Sequence, residues 1–187
     1  MKQILLGLTV LLCLSACSNQ AIKTNAYPTL SAVVSGQDRI RFEGKGAGAG
    51  MMLMSSLGPA GIAIGVAIDE GIAKEIHETF SRKYRFVDIV NEETVNWFEQ
   101  QCLSETRPKI CSRKSVQITI NHYGFKTTEG DDDPVIPKLQ IVIDAKSYEL
   151  GSDAPMKAQP LAQIKQNASA SAALLREGYQ SILNRLQ

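Results

Sequence analysis

Residues 46–68 constrain the fold more than any other part of the sequence, because this stretch contains no charged side chain. Its length would allow a membrane-spanning helix. Gly58 and Pro59 interrupt it near the middle, and the glycines at positions 46, 48 and 50 each raise the cost of a helix by up to about 1 kcal/mol. The stretch is therefore compatible with one long helix or with two short helices that meet at Gly58 and Pro59.

Two pairs of glycines in this stretch share a helical spacing. Gly46 and Gly50 are four residues apart, and so are Gly61 and Gly65. On a helix this spacing puts both members of a pair on one face, where another backbone can approach closely. This glycine-zipper pattern fits three arrangements: a hairpin buried on the domain's own sheet, a segment inserted in a membrane, and a self-associating segment of an oligomer.

The first residues are typical of an export signal. Lys2 is followed by an apolar run at residues 4–14, which is short for a membrane span and matches the core of a secretory signal. The run ends in Leu14-Ser15-Ala16-Cys17, which resembles the lipobox of bacterial lipoproteins.

The lipobox resemblance implies that residues 1–16 are a signal peptide and that Cys17 carries a lipid anchor. Several acyl chains, at about 0.8 kcal/mol for each buried methylene, make such an anchor stable. The polar residues 17–30 would be the anchor and a flexible tether. Ser18, by resemblance to enterobacterial sorting, in which Asp at this place retains a lipoprotein at the inner membrane, implies the outer membrane and a periplasm-facing domain.

The length and the hydrophobic fraction of 44% are sufficient for one domain. We place this domain at residues 31–187, including the glycine-rich apolar segment at residues 44–73. The 20 Lys and Arg residues nearly balance the 19 Asp and Glu residues. A nearly neutral chain lacks the electric field that attracts nucleic acid, so we expect no nucleic-acid partner.

Cys102 and Cys111 are the cysteines that remain when Cys17 is acylated and the leader is removed. An even pair in an exported protein most often forms a disulfide, which here would close a short loop. A redox or metal pair is the alternative. It is disfavoured because the spacing is wider than that of thioredoxin-like motifs and no histidine is close in sequence.

The pattern of apolar residues predicts an α+β fold. Alternation predicts two strands, at residues 116–120 and 139–143, which we expect to be antiparallel neighbours. Further strands are predicted within residues 31–43 and, from aromatic and branched residues, at residues 83–90. Helices are predicted after residue 68, where apolar residues recur every four positions, and at residues 91–103 and 161–186. The expected architecture is a small antiparallel sheet backed by helices and preceded by the glycine-rich apolar helical segment.

The sequence contains no catalytic or metal-binding motif that we recognise. His77 is predicted on a helix surface, and the alternation of its strand directs His122 toward the core or its edge. No serine lies in a nucleophile elbow, and the glycines after Lys45 lack the end of a phosphate loop. The acids at residues 131–133 are adjacent, whereas calcium loops place them at alternate positions. We expect no enzyme activity, no cofactor and no metal ion.

These features predict a non-catalytic envelope lipoprotein that acts as an accessory or assembly factor through protein–protein contacts. Its partner would be another envelope protein or further copies of the same chain. A second hypothesis is a self-assembling or membrane-inserting protein that uses residues 46–68. A third is a lipoprotein that binds a lipid or a small apolar ligand between the final helix and the sheet.

Overall fold

The structure, a computed structural model, describes residues 27–128, 134–150 and 156–186. The predicted signal peptide, Cys17 and most of the predicted tether lie outside these residues, as do the acids at 131–133. The described chain begins in contact with the domain, because Tyr27 stacks on Phe98 with 6.4 Å between the ring centroids. The packed domain therefore starts a few residues before the predicted boundary at residue 31.

A pair of long antiparallel strands forms the centre of the sheet, and this pairing confirms the two predicted neighbours. They are β3, Ser115–Thr127, and β4, Pro134–Ile143. The other edge of β4 pairs antiparallel with β5, Lys146–Leu150, and with the short strand β6, Gln159–Pro160.

The other edge of β3 pairs with two short strands in succession. These are β1, Thr29–Val34, and β2, Arg41–Glu43, and both run parallel to β3. The sheet is therefore mixed, although its β3–β4–β5 part is antiparallel as expected. Alternation within a strand does not show strand direction, so the sequence could not predict the two parallel pairings.

Five α-helices lie in the described residues, and the fold class α+β is confirmed. They are α1, Lys45–Leu57; α2, Pro59–Ser81; α3, Phe86–Gln101; α4, Leu161–Gln166; and α5, Ala168–Leu183. α2, α3 and α5 contact the strands, and the hydrophobic core fills the space between these helices and one face of the sheet.

The strand predicted at residues 83–90 is wrong, because α3 begins at Phe86. The branched and aromatic residues that suggested a strand continue at helical spacing and are buried along one face of α3. They are Phe86, Val87, Ile89, Val90, Trp97 and Phe98. This longer helical period outweighs the local preference of these residues for strands.

The final helix, predicted as continuous over residues 161–186, is interrupted at Asn167. Its side-chain oxygen accepts hydrogen bonds from the backbone N–H groups of Ser169 and Ala170, at 2.9 and 3.2 Å. Asn167 is therefore the N-cap of α5, which separates α5 from the short α4. The apolar stripe continues across the break, which is why the sequence pattern did not reveal it.

Cys102 and Cys111 form a disulfide between the end of α3 and a short 3-10 turn, Lys109–Ser112. Both cysteines are buried in the hydrophobic core. The bond therefore fixes the loop that joins α3 to β3 at the edge of the core.

Replacing both cysteines, Cys102→Ala with Cys111→Ala, should lower the free energy of unfolding by about 2–3 kcal/mol, because the short loop is no longer closed in the unfolded chain. Urea unfolding of the variant and of the wild-type protein, each with and without reductant, measures this loss. Reductant should lower the midpoint of the wild-type protein alone. An equal midpoint for the oxidised wild-type protein and the variant would contradict the prediction.

Candidate functional site

The uncharged stretch forms two helices that turn back on each other at Gly58. Gly58 has φ 58°, a conformation that glycine adopts without strain, and Pro59 occupies the first turn of α2. The N–H of Gly58 donates to the carbonyl of Met54 at 3.0 Å, which satisfies a backbone group at the end of α1. Of the two arrangements compatible with the sequence, the structure therefore has two helices that meet at Gly58 and Pro59, but the second is not short, because α2 continues to Ser81. We call α1 together with residues 59–68 of α2 the apolar hairpin.

The four glycines singled out in the sequence meet each other between these two helices. A Cβ atom built on Gly46 would lie 1.8 Å from the carbonyl oxygen of Gly65, and one on Gly65 would lie 2.2 Å from that of Gly46. A Cβ on Gly61 would lie 2.5 Å from the backbone nitrogen of Met54, and one on Gly50 would lie 3.2 Å from the carbonyl oxygen of Gly61. We call this contact the glycine seam. It has no room for side chains.

The glycine seam shows that the glycine-zipper pattern serves a contact within one chain. Each glycine pair receives the backbone of the other helix in the same chain, so these faces are already occupied. Replacing Gly61 and Gly65 with leucine would open the hairpin itself, and a loss of oligomers in that variant would not show that the seam joins two copies.

Asp69 closes the base of the apolar hairpin. Its carboxylate accepts hydrogen bonds from the backbone N–H groups of Gly46, at 2.6 Å, and Gly44, at 3.2 Å. Gly44 is the N-cap of α1 and has no side chain to offer, and the first turn of α1 contains no acid. Asp69 therefore supplies from α2 both the cap and the negative charge that a helix N-terminus favours.

Most of the exposed apolar surface lies on the apolar hairpin. Of the ten large hydrophobic residues that are exposed in the described chain, all but Val33 and Leu103 belong to it: Met51, Met52, Met54, Leu57, Ile62, Ile64, Val66 and Ile68. Met52 is 80% exposed. A hairpin buried on the domain's own sheet, which was one of the three predicted arrangements, is therefore wrong. The reason is that α1 packs mainly on α2, whereas Ile76 and Phe80 in the second half of α2 join the core.

The polar side chains at the tip of the hairpin bond within their own helix. The hydroxyl of Ser55 donates to the carbonyl of Met52 at 2.8 Å, and that of Ser56 donates to the carbonyl of Leu53 at 3.2 Å. These hydroxyls can therefore leave water without losing a donor bond.

In the described part of the chain, none of the helices has both the length and the apolar content needed to cross a bilayer.

A groove of about 500 Å³ lies beside the base of the hairpin, between α2 and the unpaired edge of β2. Here His77 is half-buried, and its Nδ1 accepts a hydrogen bond from the N–H of Ile40 at 3.4 Å. His77 and Asp69 thus approach N–H groups at both ends of β2. α2 shields the sheet edge in this way, which limits pairing with foreign strands. The sequence placed His77 on a surface and gave no signal of this contact.

The face of the sheet that the helices leave uncovered contains His122. A β-bulge between Ile120 and His122 shifts the alternation, so Tyr123 rather than His122 follows Ile120 into the core. Of the two positions predicted for His122, the core or its edge, the bulge excludes the core, and the side chain is partly buried. Burial, followed by the positive charges of Arg41 and Lys138, lowers the pKa of His122 despite the nearby Glu43.

The remaining site predictions have different outcomes. Cys17 and the acids at 131–133 lie outside the described residues, and within those residues no group of His, Cys, Asp or Glu is arranged to hold a metal ion. The space between α5 and the sheet, predicted as a pocket for an apolar ligand, is filled around Gly178. A Cβ there would lie 2.8 Å from Pro137 and 3.0 Å from Leu150.

Gly65→Ala should loosen the hairpin, whereas Gly48→Ala should not. The new methyl group at position 65 would collide with the backbone of α1 and lower the free energy of opening by about 1–3 kcal/mol. A methyl group at position 48 meets nothing within 4 Å and favours the helix by up to about 1 kcal/mol. Hydrogen exchange of the α1 amides measures both effects, and equal exchange in the two variants would contradict the glycine seam.

Asp69→Ala should detach the start of α1, at a cost of about 1–2 kcal/mol for the lost cap. The neighbouring variant Glu70→Ala is the control, because Glu70 is exposed and makes no hydrogen bond or ion pair with the described residues. We expect faster hydrogen exchange at the first amides of α1 in the Asp69 variant alone. If the Glu70 variant exchanges as fast, the contacts of Asp69 do not hold the hairpin base.

Comparison with known proteins gives no relatives from which a function could be transferred. No family model matches the chain, and no curated protein and no solved structure shows significant similarity to it.

Proposed function

We propose that this chain is a non-catalytic lipoprotein of the bacterial cell envelope that inserts its apolar hairpin into one leaflet of a lipid bilayer. The observation that carries the proposal is that the hairpin is closed by glycine and exposes large apolar side chains on more than one side of each helix. The lipobox resemblance at Cys17 supplies the expected cellular setting.

The directions of the apolar side chains favour lipid as their surroundings. Successive residues of a helix point about 100° apart, so Met51 and Met52 leave α1 in different directions. Ile62 and Ile64 point to opposite sides of α2 for the same reason. A helix that docks on one partner needs a single apolar stripe, whereas a helix that is apolar all round needs apolar surroundings on all sides.

The dimensions of the hairpin match a single leaflet. α1 has 13 residues and is therefore about 20 Å long. One leaflet supplies about 15 Å, half of a hydrocarbon core of about 30 Å. Lys45, Asp69 and Glu70 are the first charged residues on either side of the uncharged stretch, and they lie together at the hairpin base. This places charge at the depth of the lipid headgroups when the tip is inserted.

The internal hydrogen bonds of the hairpin lower the cost of insertion. Hydrocarbon offers no partner to a polar group, so each unsatisfied group costs several kcal/mol there. The backbone is paired within the interior of both helices, and at the turn the N–H of Gly58 donates to the carbonyl of Met54 and the N–H of Gly61 to that of Gly58. The hydroxyls of Ser55 and Ser56 donate to carbonyls of α1.

The second candidate is that the hairpin binds in an apolar groove of another protein. Met51, Met52 and Met54 favour it, because the flexible thioether of methionine adapts to irregular protein surfaces. In that case the chain would act as an accessory factor through protein contacts, or it would assemble with further copies. The two candidates can be distinguished by a probe attached to lipid, because such a probe can reach the hairpin in a bilayer but not in a protein partner.

A fluorophore attached at Met52→Cys should be quenched by bromine atoms carried on lipid acyl chains. The lipidated protein is labelled through this cysteine, because Cys102 and Cys111 are bonded to each other and Cys17 is expected to be acylated. Leu103→Cys is the matched control: Leu103 is 73% exposed but lies on the disulfide loop, so its fluorophore should remain in water.

Emission from position 52 that remains water-like, as at position 103, would contradict the proposal. A blue shift without quenching by brominated lipid would instead mean that protein surrounds the hairpin, and crosslinking from the same cysteine would then identify whether that protein is a partner or a second copy.

A further inference from the structure

The chain enters the domain at one end of β3. β1 begins at Thr29, which pairs with Ser115 at the start of β3, and the N–H of Thr29 donates to the carbonyl of Lys114 at 3.0 Å. Just before it, Tyr27 rests on Phe98 near the end of α3. We call this end of the sheet the entry pole, because any tether from Cys17 must arrive here.

The apolar hairpin leaves the domain at the opposite end of β3. β2 is parallel to β3, and its last residue, Glu43, pairs with Lys126. The next residue, Gly44, lies so close to Thr127, the last residue of β3, that a Cβ atom on Gly44 would collide with the Thr127 hydroxyl. We call this end the hairpin pole.

The two poles are separated by almost the whole length of the sheet. The pairing partners of Thr29 and Glu43 on β3 are Ser115 and Lys126, eleven residues apart. At a rise of about 3.3 Å per residue this separation is about 36 Å.

The direction of α2 sets the direction of the hairpin. Asp69 lies beside Gly44 and Gly46, whereas His77, further along α2, lies beside Ile40, which precedes β2. α2 therefore runs antiparallel to β2, and its first half continues past the end of the sheet. The hairpin tip consequently points away from the entry pole.

The segment from Cys17 to Tyr27 is short compared with this geometry. It spans ten residues, from 17 to 27, and can reach at most about 33–36 Å when fully extended. A flexible chain of this length has a root-mean-square extension of only about 16–19 Å. With the hairpin upright in a leaflet, Cys17 could reach the same leaflet only if this segment were stretched to its limit along the domain.

We infer that the apolar hairpin enters a different bilayer from the one that holds Cys17, so that the protein bridges two membranes. This inference rests on the proposed function, that is, on a lipid anchor at Cys17 and on insertion of the hairpin into lipid, and it adds which membrane receives the hairpin. The lipid anchor and the hairpin then attach at opposite poles, and the sheet is the spacer between them.

The test uses two sets of vesicles. Carrier vesicles of phosphatidylcholine receive the full lipidated protein from outside, labelled at Met52→Cys, and acceptor vesicles of the same lipid contain no protein. Phosphatidylcholine is chosen because its net charge is zero, which avoids repulsion by the four acids within residues 129–133 that follow β3. Brominated lipid is placed in one set of vesicles at a time.

We expect the fluorophore to lose emission when the bromine is in the acceptor vesicles and to keep it when the bromine is in the carrier vesicles. Quenching by the carrier vesicles alone would overturn the bridging inference and leave the proposed insertion intact. If bromine in neither set of vesicles changes the emission, both the bridging inference and the proposed insertion of the hairpin are overturned.

Clustering of the vesicles provides an independent measurement. The wild-type protein should cluster carrier and acceptor vesicles, seen as a rise in light scattering, and Met52→Asp should abolish the rise because a charge cannot enter the leaflet at low cost. Leu103→Asp introduces the same charge at an exposed apolar residue outside the hairpin and should leave clustering unchanged. Equal clustering by all three proteins would overturn bridging by the hairpin.

Lengthening the tether tests the geometric reason directly. A flexible Gly/Ser insertion between Ser18 and Tyr27 that doubles this segment lets the hairpin bend back to the carrier vesicle. Quenching should then move from acceptor bromine toward carrier bromine, and clustering should fall. If the insertion changes neither, the short tether does not select the second membrane and the inference fails.

Discussion

The absence of four Cβ atoms along the glycine seam determines the form of the apolar hairpin. Gly46, Gly50, Gly61 and Gly65 let two backbones touch at distances that no side chain could share. Of the large apolar side chains of the hairpin, only Leu53 lies against the other helix, at Gly61, and the others are exposed. The close contact and the outward apolar surface are therefore two results of one sequence pattern. Because exposed apolar surface is unfavourable in water, such a hairpin is favoured where lipid or protein covers that surface.

The sequence predicted those elements whose signal is local. The alternation in β3 and β4 gave both strands and their pairing, and glycine spacing identified the helical faces that come into close contact. The same spacing could not show which backbone would approach, because a second helix of the same chain and a helix of another copy need the same small residues. The strand prediction for residues 83–90 was wrong for a related reason. A short run of branched residues has the same composition in a strand and in a buried helix.

Features that depend on distant contacts were out of reach from the sequence. The N-terminus of α1 begins at Gly44 and Lys45 without a capping side chain, which indicates that some other group must supply the cap. Nothing in the sequence identifies Asp69, which is more than twenty residues away, as that group. The contact between His77 and the edge of β2 and the bulge before His122 likewise depend on the packed sheet. The sequence also could not predict that the apolar surface of residues 46–68 is exposed, because an uncharged stretch has the same composition whether it is buried or exposed.

α2 connects the two environments of the molecule. Its second half is fixed in the domain by Ile76 and Phe80, which are buried in the core, while its first half forms one side of the apolar hairpin. A continuous helix transmits direction, so the position of the hairpin is set by the core and not by the surroundings of the tip. The hairpin can therefore pass from water into lipid or into a partner without any loss of core packing. The price of that arrangement is an apolar surface that promotes association in water. The proposed lipid anchor at the opposite pole would restrict such association, because it would keep each copy at a membrane with its hairpin directed outward.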